Sequence, residues 1–125
     1  MNIPQNLLYT KDHEWVRVDG DTAVVGITDY AQGELGDVVF VQLPSVGTKV
    51  QQGHTMGSIE AVKAVADIYS PLSGEITEIN AVLNDHPETM NQDPYGKGWV
   101  AKIKPSNLTA ERANLMDAAA YSALV

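Results

Sequence analysis

The sequence predicts a mainly β protein of short antiparallel strands, closed as a sandwich or barrel, with one short helix in its N-terminal half and another at its C-terminus. Short β-branched and aromatic runs recur between turn signals, among them "TAVVGI", "DVVFVQL", "TMGSIEAV" and "SGEITEI". Glycines punctuate the middle of the chain at Gly47, Gly53, Gly57 and Gly74. No alternation of strands with long helices, as a parallel α/β sheet needs, is present. At 125 residues the chain can bury one core, and residues 1–125 read as one domain.

Each element has a local reason. "HEWVRV" alternates, with Trp15 and Arg17 on one side and Val16 and Val18 on the other, and "DGD" at 19–21 turns it back into "TAVVGI". Thr28 is placed to cap a short helix, "DYAQGEL", with Asp29 in its first turn and Gly36 just past its end. "DVVFVQL" is a strand stopped by Pro44. "NAVLNDHPETMNQDPYGKGW" is irregular, with a helical turn on either side of Pro87, and "WVAKIK" is a last strand ended by Pro105. "NLTAERANLMDAAAYSALV" predicts a docking helix over about 107–124, its apolar stripe formed by Leu108, Leu115, Met116, Ala119 and Leu124.

Composition excludes several functions. Sixteen acids against eight bases give a net charge of −8, which argues against a nucleic-acid partner and suits an acidic surface that meets basic patches on proteins. Without cysteine there is no disulfide scaffold, no thiolate metal site and no thiol nucleophile. No apolar run approaches the ~20 residues of a membrane span, and the start lacks a basic-then-apolar leader. A cytoplasmic chain is expected, or a mature matrix chain of mitochondrial type. His13, His54 and His86 lack metal-ligand spacing, the serines lack a recognisable triad, and no phosphate loop occurs. Trp15 and Trp99 read as core anchors. Alone, the chain is not expected to be an enzyme.

One stretch resists a bland reading. In "SIEAVKAVADIYSP" (58–71) Lys63 stands among Ala61, Val62, Ala64 and Val65, where a strongly hydrated charge is out of place. An Ala-rich helix competes as an explanation, but Gly57, Ser70, Pro71 and Gly74 flank the stretch and leave too little room. A tight β-turn with Lys63 at its tip is preferred. That turn lacks Gly, Asn and Asp at 61–65, which suggests that side-chain identity outweighs backbone ease there.

The pattern Gly47–Gly53, Ser58–Ala64 and Ile68–Ile76 resembles the biotinyl/lipoyl carrier domains, in which a lysine at an exposed hairpin tip is acylated. Biotin carriers usually flank that lysine with Met; Val62 and Ala64 point instead to lipoate. "KDHEWVRV", "VGITDYAQGELGDVVFVQLPSVG", "EAVKAVADIYSPLSGEI" and "NQDPYGKGWVAKIKPS" extend the resemblance to the H proteins of the glycine cleavage system, from about Tyr9 onward. Ala61 and Asp12 depart from residues common in that family, where Ser is frequent at both.

The resemblance implies a barrel-sandwich hybrid of the lipoyl-domain type, with a lipoyl-like core over about 22–104, and a covalent lipoate on Lys63. It implies an arm that takes an aminomethyl group from the pyridoxal-phosphate-dependent P-protein to the T-protein and is reoxidised by the L-protein, a dihydrolipoamide dehydrogenase. A lipoate-attaching enzyme is a further partner, neither nucleic acid nor membrane is, and transient partners favour a monomer. The family's acidic resting cleft for the arm maps onto Glu14 and Asp67. Glu60, three residues before the lysine, is either a recognition element for the attaching enzyme or a cross-strand charge partner. Two other readings stay open: an H-like relay that donates lipoyl groups to other carriers, and an acidic interaction module whose lysine is never modified.

Overall fold

The computed structural model describes residues 1–125. Two antiparallel sheets form. One holds β1 (Leu8–Tyr9), β2 (Glu14–Asp19), β3 (Thr22–Ile27), β5 (Lys49–Val50), β8 (Gly74–Ile79) and β9 (Ala101–Pro105), in the spatial order β1-β2-β3-β9-β8-β5. The other holds β4 (Val38–Gln42), β6 (Thr55–Ala61) and β7 (Val65–Tyr69), in the order β4-β6-β7. A single cluster of buried side chains draws Val25, Ile76 and Ile103 from the first sheet and Val41, Ile59 and Ile68 from the second. The sheets are therefore two walls of one core, in the barrel-sandwich arrangement that the sequence predicts.

The strand alternation holds with one refinement: both sides of β2 are covered. Trp15 packs with Tyr9, Val24 and Tyr121, while Val16 packs with Ala23 and Leu72 on the other side. Trp15 also donates from Nε1 to the Pro94 carbonyl at 3.0 Å, which ties β2 to the irregular 80–98 segment. Across the ladder from it stands Gly26. A β-carbon there would lie 2.7 Å from the indole, so glycine is required by the close approach. Trp99 is only half-buried, with the Lys102 ammonium 5.2 Å above its ring.

Helix α1 (Asp29–Leu35) forms where predicted, and the Ala31 N–H donates to the Thr28 hydroxyl at 3.2 Å. Gly36 ends it at φ 78°, in the left-handed region, with its N–H donating to the Gln32 carbonyl. Two one-turn helices, α2 (Val82–Asp85) and α3 (Thr89–Gln92), sit on either side of Pro87 and bury Leu83 and Met90.

The C-terminal segment differs from the expected single helix over about 107–124. It is α4 (Leu108–Glu111), a 3-10 turn (Arg112–Asn114), an extended step, and α5 (Ala118–Leu124). Met116 is drawn out of the helix because its backbone exchanges two 2.8 Å hydrogen bonds with that of Tyr9, and Asp117 then caps α5 by accepting from the Ala120 N–H. The break resets the helical face. Ala118 and Tyr121 are buried, whereas Ala119 and Leu124 of the expected stripe are exposed.

Candidate functional site

Lys63 is exposed at the tip of the β6–β7 hairpin. Glu60 pairs with Val65, and across the tip the Ala61 N–H donates to the Ala64 carbonyl at 2.8 Å. Val62 and Lys63 keep negative φ, since His13 is the one non-glycine residue in the left-handed region. The turn thus needs no Gly or Asn, and their absence is explained by its geometry rather than by a demand on side-chain identity. The Val62 side chain is 76% exposed, and its N–H donates to the Asp37 carbonyl at 3.0 Å. The lysine stem lies over Gly36: a β-carbon added there would be 3.3 Å from Lys63 Cε. Lys63 takes part in none of the ion pairs, which join Arg17 to Asp19, His86 to Glu88 and Lys102 to Glu78. Its amine is free to react.

Glu60 lies opposite Phe40 on β4 and Val65 on β7, and it forms no ion pair. No cation stands across the ladder, so it is not a cross-strand charge partner. It is instead the acid at the centre of an exposed row of Phe40, Glu60 and Val65.

Glu14 is buried, with 2% of its surface exposed. The Thr10 hydroxyl donates to its Oε1 at 2.6 Å and the Tyr69 N–H to its Oε2 at 3.2 Å. Burial pushes its carboxyl up to about 8, against the pull of these two hydrogen bonds and with a smaller push from the Asp12 charge. His13, at φ 69°, supplies the bend before β2 that turns Glu14 inward and sends its own ring to the Tyr121 hydroxyl, 2.8 Å from Nδ1. Glu14 lines a cavity of about 440 Å³ whose walls include Thr10, Asp12, Gln52, Tyr69, Asn114 and Met116.

Asp67 does not line that cavity. It lies on the exposed side of β7 beside Ser58 and Gln42, at a separate recess. Strand alternation nevertheless places Val65, Asp67 and Tyr69 on one side of β7, so Asp67 stands between the lysine and the cavity. From Val65 to Tyr69 is roughly 13 Å along the strand. A larger open cleft of about 720 Å³, lined by Lys49, Glu75 and Lys104 among others, includes neither Lys63 nor Glu14.

Sequence reasoning singled out Lys63, Glu14, Asp67 and Glu60 but did not foresee the groups that hold Glu14. Thr10 and the Tyr69 N–H, the donors to Glu14, belong to segments remote in sequence, and no motif advertises either. The left-handed His13 has only a weak signal, the Asp-His-Glu run before a strand.

A family model described as the glycine cleavage H-protein matches residues 7–125. Curated glycine cleavage system H proteins are similar over nearly their whole length. That of Bacteroides thetaiotaomicron is 55% identical over 125 residues, covering 100% of this chain and 98% of its own. That of Herpetosiphon aurantiacus is 58% identical over 120 residues, covering 96% and 91%. The crystal structure of the Mycobacterium marinum H protein superposes with a TM-score of 0.89 at 41% identity, over 97% of each chain. An exposed hairpin lysine, a buried acid in a nearby cavity and matches of this extent lead to one conclusion: the chain belongs to the glycine cleavage H-protein family.

Proposed function

We propose that the chain is a carrier that does no chemistry of its own: Lys63 is lipoylated and ferries an aminomethyl group between the P- and T-proteins, with the L-protein restoring the arm. The observation that carries this reading is the exposed, unpaired lysine at the β6–β7 tip of a chain in this family. The residues fit the group. Free lysine has a pKa near ~10.4 and is cationic at neutral pH. Amide formation removes that charge, and Val62 and Val65, 76% and 73% exposed, then offer an apolar bed for an apolar arm. Lipoate, once attached, supplies a cyclic disulfide that can take up a one-carbon amine and be restored by oxidation.

Glu14 decides which arm is held. Alone in its cavity the buried carboxyl favours the neutral form. An entering ammonium supplies the opposite charge that ionised Glu14 lacks, and a charge-assisted hydrogen bond then forms. A neutral arm gains nothing comparable, so the cavity favours the loaded arm and shelters it from water. Asp67, on the path, offers a second, solvated carboxylate to the passing amine.

The test is the mass of the peptide containing Lys63 after incubation with a lipoate ligase, lipoate and ATP. One lipoyl group is expected on the parent and none on Lys63→Arg, both folded with the same circular dichroism spectrum. An unmodified parent would refute the carrier reading.

A further inference from the structure

We propose that Asn91 is a positioning residue for Lys63: it clamps the Gly36–Val38 ledge on which the hairpin tip rests. This rests on the reading that Lys63 is the acylated residue. Asn91 lies in α3, far from the hairpin in sequence, yet its side chain makes three hydrogen bonds to the ledge and its helix. Its Nδ2 donates to the Gly36 carbonyl at 2.8 Å and to Gln32 Oε1 at 3.2 Å, and its Oδ1 accepts from the Val38 N–H at 3.0 Å. Between the two clamped backbone groups lies Asp37, whose carbonyl holds the Val62 N–H at 3.0 Å, one residue from the lysine. Over Gly36 runs the lysine stem, so that a β-carbon there would stand 3.3 Å from Lys63 Cε.

The Val62 bond to Asp37 and the contact of the lysine stem with Gly36 thus both fall on three residues that Asn91 grips from both ends. Only a short amide serves here. Both donors and the acceptor are used, an aspartate in its usual ionised form has no donor, and glutamine is one methylene too long for the same fork. An enzyme acting on Lys63 must find its amine, and later its acyl arm, at a fixed height and direction. A loose tip lowers the fraction of encounters in which the amine is correctly presented.

The decisive variant is Asn91→Asp, equal in size, which keeps the acceptor for the Val38 N–H and loses both donor bonds. Two readouts separate positioning from bulk stability: amide exchange at Val62 against that at Ile59, and the steady-state kinetics of a lipoate ligase with the protein as substrate. The expected result is exchange at Val62 raised roughly tenfold with Ile59 unchanged, and KM for the protein raised roughly tenfold with kcat within about twofold. A folded variant whose Val62 exchange and KM match the parent overturns the proposal, as does a uniform rise in exchange at both amides. If Asn91→Asp does not fold, Asn91→Ala removes all three bonds without adding a charge. It should raise KM likewise, and an unchanged KM would count against the ledge. Should the parent itself take up no lipoate, acylation of Lys63 is what fails, and the exchange comparison still judges Asn91.

Discussion

Glu14 is a carboxyl that folding moves away from its ordinary chemistry. Its usual value of 4.5 describes the unfolded chain, and burial pushes it to about 8 in the folded one. Between those values the folded protein keeps a proton that the unfolded chain has released, so stability from this group is complete below 4.5 and is lost as pH rises through about 8. Glu14→Gln cannot ionise. Its melting temperature should fall less than the parent's between pH 5 and pH 8, a comparison that thermal unfolding by circular dichroism makes directly; parallel profiles would show the folded carboxyl already ionised at pH 5. At this scale the sequence singles out a side chain in an unusual local setting, as with Lys63 among alanines and valines. It was silent where chemistry depends on a distant donor, as with Thr10 and the Tyr69 N–H, because only folding brings them to Glu14.

Among the elements, α5 does more than cover the sheet. The Tyr121 ring stacks on Tyr9 at 4.6 Å, and its hydroxyl sits 2.7 Å from the Thr28 hydroxyl and 2.8 Å from His13 Nδ1. One phenol thus joins the C-terminal helix, the cap of α1 and the bend before Glu14. Tyr121→Phe keeps the stack, strands His13 Nδ1 and leaves the Thr28 hydroxyl with the Ala31 N–H alone, and a loss of roughly 1–3 kcal/mol is expected by urea unfolding. A change under a few tenths would mean that water replaces the hydroxyl without cost. The strands and α1 were readable from the sequence because local signals agree with tertiary packing: alternation, the Asp-Gly-Asp turn, Thr28 at the cap. The C-terminal helix was misjudged because its residues suit a continuous helix, and the competing bond partner of Met116 is Tyr9, more than a hundred residues away. Asp117 was the one local hint of a restart.

For the whole molecule, a net charge of −8 creates a field that steers encounters with basic surfaces. Exposed acids near the lysine, Glu60 and Asp67, suit partners whose entrances are basic. Raising sodium chloride from 20 to 200 mM should therefore raise the KM of the ligase, and of each partner enzyme, for this protein by several-fold with little effect on kcat. Flat kinetics across that range would place recognition in the apolar row of Phe40 and Val65 instead. Family and architecture were legible at this scale because the motifs run almost end to end. The cavity beside Glu14 was not, since its walls come from residues 10–14, 52–53, 69–71 and 114–116.

That last grouping follows the order of synthesis. The three strands that carry the lysine hairpin have all been synthesised by about residue 69, and Asn91, which grips their ledge, follows later. The wall contributed by Asn114, Leu115 and Met116 is laid down only with the final turns of the chain, when Met116 closes on Tyr9. During synthesis the Lys63 hairpin comes first and the last wall of the Glu14 cavity at the very end, so a polypeptide cut short near residue 107 would carry the hairpin strands without Asn114, Leu115 and Met116.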